Sequence, residues 1–384
     1  MKGPLLVVAG EASGDRAAAA VIARLPREVR AFGMGGGAMM REGVDVVSHL
    51  EDTTALGVGE VARRASNVAV AWAKIRREVK RRKPVAALLV NYTEFNTRLA
   101  RALWPLDVRV LWYGAPQVWA WRPNRAEALR RHVDRMAVML PFEESLWRER
   151  GVDAHYVGHP ALEERTARVG DTTEARLVAR ELMGMTPRAH AVAILAGSRP
   201  HEVRRLLQPM LEGYEVVRRD LASVDARVLL APSLDRLTRN WATAVANAAH
   251  VDVVDVDARA GIAAALPAFD VALCASGTAS LECALARAVP IVCYRVGVAT
   301  EPVARLLVDT PHIALPNVLL GRRAFPELLQ RQVTRERIAE ELGRAIEERP
   351  AMVASCDAVE EILGGGGMGR HASSEVARLL APWV

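Results

Sequence analysis

Residues 268–295 read AFDVALCASGTASLECALARAVPIVCYR, and their pattern decides the fold. An apolar run, Val271–Ala275, meets the small polar cluster Ser276-Gly277-Thr278. An amphipathic helical pattern follows from Ala279 to Arg287, and a second apolar run from Pro290 to Tyr294. Strand, short turn, helix and strand in this order make one βαβ unit of a parallel sheet. The turn residues leave backbone N–H groups open at a helix N-terminus, where the dipole and the unpaired donors favour a phosphate. Glu282 stands about one turn into that helix, within reach of a ribose hydroxyl. An ordinary capped βα turn accounts for Ser276, Gly277 and Thr278 equally well.

The same grammar runs outward in both directions. Pro4–Ala9, Val85–Val90, Val108–Tyr113 and Arg135–Leu140 read as strands of a first sheet. Ala191–Leu195, Ala226–Ala231, Val251–Val254, Val271–Ala275 and Ile291–Tyr294 read as strands of a second. Continuous apolar runs, rather than alternation, mean parallel strands covered on both faces. The fold class is therefore α/β, with two doubly wound, Rossmann-like domains whose ligand site is expected in the cleft at the strands' carboxyl ends. The expected limits are 1–165 for the first domain and 166–363 for the second. A tail, 364–384, follows the glycine run Gly364–Gly367, which reads as a flexible link.

A chain of 384 residues, 51% hydrophobic and 25% charged, is long enough for two cores and too apolar for disorder. The net charge of +6 favours anionic partners without choosing among phosphates, nucleic acid and acidic membrane. Cys274, Cys283, Cys293 and Cys356 show no metal spacing and read as buried free thiols in a reducing compartment. No apolar stretch approaches the ~20 residues of a spanning helix, and the expectation is a cytoplasmic protein. Nucleic acid is disfavoured, because aromatics make up only 5% and are not interleaved with the basic run.

Gly10-Glu11-Ala12-Ser13-Gly14-Asp15 follows the first strand and opens an alanine-rich helix. Ser13 or Asp15 as a cap explains most of it, but not Glu11, a carboxylate at a strand's carboxyl end. Gly33–Gly37 ends a short second strand and stands in the wrong place for a dinucleotide fingerprint. In Tyr113–Arg125, YGAPQVWAWRPNR, the residues Trp119, Trp121, Arg122 and Arg125 suit stacking and bidentate recognition, against the competing reading of a buried aromatic corner. Gly197-Ser198-Arg199 forms the second domain's first βα turn, and an arginine beside it favours a phosphate-bearing ligand. Two such turns on one sheet suggest a nucleoside diphosphate. Lys74–Lys83 carries seven basic residues in ten, normally a solvated helix face. Beside it, Leu56-Gly57-Val58 and Val68–Trp72 supply what an interfacial membrane contact through 56–83 needs. His159 in GHP reads as a hinge histidine rather than a ligand-binding one.

In this order the segments GEASGD, WAWRPNR, PFE (141–143), VGHP (157–160), GSRPHEV, ASGTASLE, LPNVLLGR and PELLQ resemble the lipid-A-disaccharide synthase family over residues 10–330. The resemblance implies the GT-B fold and an inverting, metal-independent bacterial glycosyltransferase with no cofactor beyond its UDP-activated sugar donor. It implies transfer from UDP-2,3-diacylglucosamine to 2,3-diacylglucosamine 1-phosphate, on the inner face of the cytoplasmic membrane; an oligomer is compatible with it. It assigns UDP to Gly197, Ser198, Arg199, Ser276, Gly277, Thr278 and Glu282, with Asn317, Arg322 and Gln330 completing the cleft. The acceptor side carries Ser13, Trp119, Trp121, Arg122, Arg125 and His159. The family pattern I-D-x-P-D-F-N meets VNYTEFN at 90–96, where its first acid aligns with Asn91 and its second with Glu94. An amide is no base near neutral pH, although it can hydrogen-bond a sugar. Candidates for the base are then Glu94, Asp15 and Glu11, in that order. Two alternatives stand beside the synthase reading: a homologue that binds UDP-sugar or lipid without turnover, and a UDP-N-acetylglucosamine epimerase.

Overall fold

Strand β1 (Leu5–Ala9) is buried at every residue, and its alternating side chains start two different cores. Leu6 and Val8 join Phe32, Ile75, Leu89, Phe95 and Trp112 on one face of the sheet. Leu5, Val7 and Ala9 join Ala18, Val21, Leu88, Tyr113 and Val376 on the other. Burial of each such leucine or valine contributes roughly 1.5–3 kcal/mol, so a strand apolar on both faces is held from both sides.

The computed structural model describes residues 3–50, 60–119, 125–164, 173–221, 223–256, 261–295, 311–364 and 371–384. The chain divides into two units, Met1–Pro160 with Met368–Val384, and Ala161–Gly367. In the first unit β1 is followed by α1 (Ala12–Ile22), β2 (Ala31–Gly35), α2 (Gly37–Arg41), β3 (Asp45–His49) and α3 (Glu60–Arg82). Then come β4 (Ala86–Val90), α4 (Thr93–Leu103), β5 (Arg109–Tyr113), α5 (Arg125–Arg130), β6 (Arg135–Val138), α6 (Pro141–Arg148) and β7 (Ala154–Tyr156). All neighbouring pairs are parallel, in the order β3-β2-β1-β4-β5-β6-β7.

After α7 (Pro160–Glu164), the second unit runs through α8 (Thr173–Leu182), β8 (His190–Leu195), α9 (Pro200–Asp220), β9 (Val224–Leu230), α10 (Arg236–Ala248) and β10 (Asp252–Asp255). It continues with β11 (Val271–Ala275), α11 (Thr278–Leu285), β12 (Val289–Tyr294), α12 (Leu315–Leu320), β13 (Glu327–Leu329), α13 (Arg335–Glu347) and α14 (Arg349–Ile362). Its parallel sheet has the order β10-β9-β8-β11-β12-β13. The last helix, α15 (Ala372–Leu380), belongs to the first unit, where Ala372, Val376, Ala377, Leu379 and Leu380 enter the core. Arg135 donates to the carbonyl of Leu379 at 2.7 Å and lies 4.8 Å from the Trp383 ring centre.

Every strand read from the sequence is present within a residue or two. Two edge strands were not read: β3 has mixed burial, and β13 is only three residues long. Gly33–Gly37 is not a phosphate loop. A Cβ on Gly33 would stand 1.8 Å from the Val7 carbonyl oxygen, so the glycine serves close strand approach. The four cysteines are buried and free, and burial pushes the Cys356 thiol up to about 12. Among the described residues no helix is long and apolar enough to cross a membrane. The basic run lies on α3, where Glu78 accepts from Arg81 and Arg82, whose hydrogen bonds hold its carboxyl down at about 2. Leu56, Gly57 and Val58, and most of the glycine link, lie outside the described residues.

Candidate active site

In a doubly wound sheet the ligand crevice opens where the strand order reverses, beyond the carboxyl ends. In the first unit that point lies between β1 and β4, and in the second between β8 and β11. Both switch points are built from the motifs singled out above.

At the first, Gly10 and Tyr92 are in contact: a Cβ on Gly10 would stand 2.1 Å from the Tyr92 ring. Asn91 and Tyr92 both adopt left-handed backbone, at φ 47° and 45°. Asparagine tolerates this region and tyrosine does not, so the turn holds strain of about 1–3 kcal/mol. Asn91 fits against Gly114, where a Cβ would lie 2.0 Å from its Oδ1. Its N–H donates to the Tyr113 carbonyl at 2.9 Å. Asn96, fully buried, donates its amide to the carbonyls of Asn91 at 2.9 Å and Val90 at 3.3 Å. Glu94 follows on the first turn of α4 and is exposed, as is Glu11 at the N-cap of α1. Ser13 is half-buried beside it.

Asp15 has a different task from the one expected. It is buried, and its Oδ1 accepts from the backbone of Gly36 at 2.7 Å and Met39 at 3.2 Å. Its Oδ2 accepts from Ala38 at 2.9 Å. The carboxylate is thus the anion that caps α2, with both oxygens engaged, and it is withdrawn from the list of candidate bases.

At the second switch point the turn after β11 is open. Gly277 is the N-cap of α11 at φ +144°, contributes no capping side chain, and has nothing within 4 Å of where a Cβ would project. Gly277 and Thr278 are exposed, so the start of the helix is approachable, while Ser276 Oγ bonds the Ile313 carbonyl at 3.4 Å. Glu282 is half-buried on the same helix. The turn after β8 is already engaged. Glu202 Oε2 accepts from the N–H groups of Ser198 at 3.1 Å and Arg199 at 3.2 Å, and Oε1 from the Arg199 guanidinium at 3.2 Å. A Cβ on Gly197, at φ +121°, would meet that same Glu202 carboxylate at 2.6 Å. Tyr294, at the end of β12, has its phenol raised by burial and by the charge of nearby Glu202.

The sequence profile of the lipid-A-disaccharide synthetase family matches residues 5–379. The chain belongs to this family. It is 38% identical over 384 residues to the lipid-A-disaccharide synthase of Myxococcus xanthus, covering 98% of each chain. Among solved structures it resembles a UDP-GlcNAc 2-epimerase of Neisseria meningitidis bound to UDP-GlcNAc, at TM-score 0.68 and 12% identity, covering 99% of this chain and 100% of that one. It also resembles MurG of Acinetobacter baumannii, at TM-score 0.54 and 13% identity, covering 100% of each chain. These likenesses give the GT-B class of fold, and the lipid-A-disaccharide synthetase family gives the glycosyltransferase of lipid A biosynthesis.

Other family-motif residues sort by what they touch. Asn317 of LPN is fully buried and uses its whole amide inside the unit. It donates to Phe325 O at 2.9 Å and Glu327 at 2.8 Å, and accepts from the N–H groups of Ala324 and Phe325 at 2.9 Å each. It therefore shapes the loop that carries Arg322 rather than offering its amide to a ligand. Arg322 is exposed and donates to Ser355 at 3.2 Å, and Gln330 sits at φ 52° with its carbonyl accepting from Arg295 at 3.3 Å. Trp119 donates its indole N–H to Glu143 at 3.0 Å and meets Phe142 edge-on at 5.3 Å. Burial raises the Glu143 carboxyl to about 7. His159 is buried, which lowers its imidazole to about 4 and keeps it neutral. Trp121 and Arg122 lie outside the described residues, and Arg125 is described only as the start of α5. Sequence reasoning missed Glu202 and Glu143, yet each stands three residues after its helix N-cap, the spacing of a capping glutamate.

Proposed function

We propose that this chain transfers the sugar of UDP-2,3-diacylglucosamine to the 6-hydroxyl of 2,3-diacylglucosamine 1-phosphate, giving the β-1′,6-linked disaccharide 1-phosphate and UDP. Transfer inverts the donor carbon and needs no metal. The observation that carries this reading is the family match along residues 5–379.

UDP is assigned to the second unit. The exposed start of α11 at Gly277 and Thr278 supplies N–H groups and a helix dipole for a phosphate, and Glu282 on that helix supplies a ribose partner. The Ser198–Arg199 turn takes an anion only if Glu202 gives up its two N–H groups, so the α11 turn is the primary seat. Of the candidate bases, Glu94 pairs exposure with the first unit's switch point. It accepts the acceptor hydroxyl's proton as that oxygen bonds the donor carbon and UDP departs with the bonding pair. Asn91 hydrogen-bonds the sugar, and Glu11 is the remaining alternative base. Lipid substrates and a net charge of +6 favour a peripheral seat on the inner face of the cytoplasmic membrane. There Val70, 53% exposed on α3 beside the basic run, makes the contact, in one copy or an oligomer.

Purified protein given both lipids in mixed micelles is expected to release UDP and form the disaccharide, with EDTA without effect and Glu94→Gln slower by ~10²–10⁴-fold. Asn91 at the family's acid position favours one competing reading, a homologue that binds without turnover. UDP binding with no product establishes that reading instead. Exchange of the C2 proton of UDP-GlcNAc without acceptor establishes an epimerase.

A further inference from the structure

The turn between β4 and α4 is the most strained backbone at either switch point, with two consecutive non-glycine residues in left-handed conformation. One side chain bridges its carbonyls. Asn96 is 0% exposed, and its Nδ2 donates both to Val90 O, the last carbonyl of β4, and to Asn91 O, the first of the turn. The amide orientation is forced, because the flipped form would set Oδ1 against two carbonyl oxygens. Oδ1 in turn has no hydrogen-bond partner among the described residues. A buried polar atom left unpaired is a cost, and an apolar residue would fill this position on α4 without incurring it. Its neighbours Phe95 and Leu99 are buried apolar residues of the same core.

We propose that Asn96 is a positioning residue for the transfer reaction: by clasping both carbonyls it holds the left-handed Asn91–Tyr92 turn, and so fixes where Asn91 and Glu94 stand. The proposal rests on the assignment of Asn91 and Glu94 above, and it says why the helix interior keeps an amide. A residue that merely packed would be replaceable by any side chain of its size.

The test compares Asn96→Asp, which is nearly isosteric, with Asn96→Leu, which fills the space without polar atoms. The Asp carboxylate faces two carbonyl oxygens, whereas its protonated form donates one hydrogen bond to them. The expected result is a kcat loss of ~10²-fold for both variants, with KM and UDP affinity within about twofold of wild type. For Asn96→Asp alone, the deficit relative to wild type shrinks as pH is lowered. Deuterium exchange over residues 90–96 is expected to quicken in both variants. Turnover within threefold of wild type, or an equal loss in both variants at every pH, overturns the proposal. If the wild type turns over neither lipid, the function reading fails by itself. The exchange measurement then decides whether Asn96 holds the turn, with unchanged exchange overturning it. Should Asn96→Leu fail to fold, Asn96→Asp carries both the pH and exchange readouts.

Discussion

Replacing Asp15 separates a structural carboxylate from a catalytic one. In Asp15→Asn the retained oxygen still serves Gly36 and Met39, while the new amide meets the Ala38 N–H head-on. One buried donor left unsatisfied costs ~1–3 kcal/mol, and two charge-assisted bonds reduced to neutral ones lose roughly 0.5–1 kcal/mol each. The sum is about 3 kcal/mol, and Asp15→Ala, which removes all three hydrogen bonds, is expected to cost about 4 kcal/mol. Seven of the eight tryptophans lie in the first unit, Trp241 being the exception. Urea unfolding followed by tryptophan fluorescence therefore reports the affected unit, and its midpoint is expected to fall in both variants. Measured well below the transition, kcat for Asp15→Asn is expected within about threefold of wild type, against a typical ~10²–10⁴-fold for loss of a base. An unchanged midpoint together with a hundredfold drop in kcat would refute the capping role and return Asp15 to the reaction.

Asn91→Asp is expected to fold, since aspartate also tolerates left-handed backbone, and to change kcat by less than about tenfold. A larger gain would make the family's acid position, not Glu94, the base. Gly277→Val places a β-branched residue at φ +144° and is expected to weaken UDP binding by ~10-fold or more, in line with strain of roughly 1–3 kcal/mol; calorimetric affinity equal to wild type removes UDP from this turn. Glu143 supplies a pH signature. Its folded carboxyl is raised to about 7 by burial, so the folded state holds the proton more tightly than the unfolded one, and stability falls as pH rises from about 4.5 through 7. The decline is about 2–3 kcal/mol, and it is expected to be missing from the same urea titration of Glu143→Gln.

Strands buried on both faces were legible because their apolar runs are continuous; Leu5–Ala9 and Val271–Ala275 need no partner to be recognised. Asp45–His49 and Glu327–Leu329 were not, because the first is mixed in burial and the second is too short to carry a period. The site divided along a similar line. Gly277 stands at a turn whose geometry follows from local sequence, Glu94 was reached through the family pattern, and both are exposed. Asp15, read as a candidate base beside a helix start, and Asn317, placed in the cleft by the family resemblance, carry polar groups that serve equally well as internal partners of backbone N–H and C=O groups. Only the partners decide between the two uses. Asp15 finds Gly36, twenty-one residues on, and Asn317 finds Phe325 and Glu327 across a loop.

The placement of α15 bears on how the protein is made. The first unit is assembled from both ends of the chain, and the second is one continuous stretch between them. During synthesis the whole of 161–367 emerges before the helix that covers Val21, Leu88 and Tyr113 exists. The unit that comes second in sequence is therefore the first with all its parts, while the amino-terminal sheet, packed by α1 on the same face, lacks the rest of its cover until 372–380 have been made. For dissection, a single cut at each side frees the second unit as one gene segment. The first cannot be expressed by truncation alone; it requires residue 160 to be joined to 368 through a new linker.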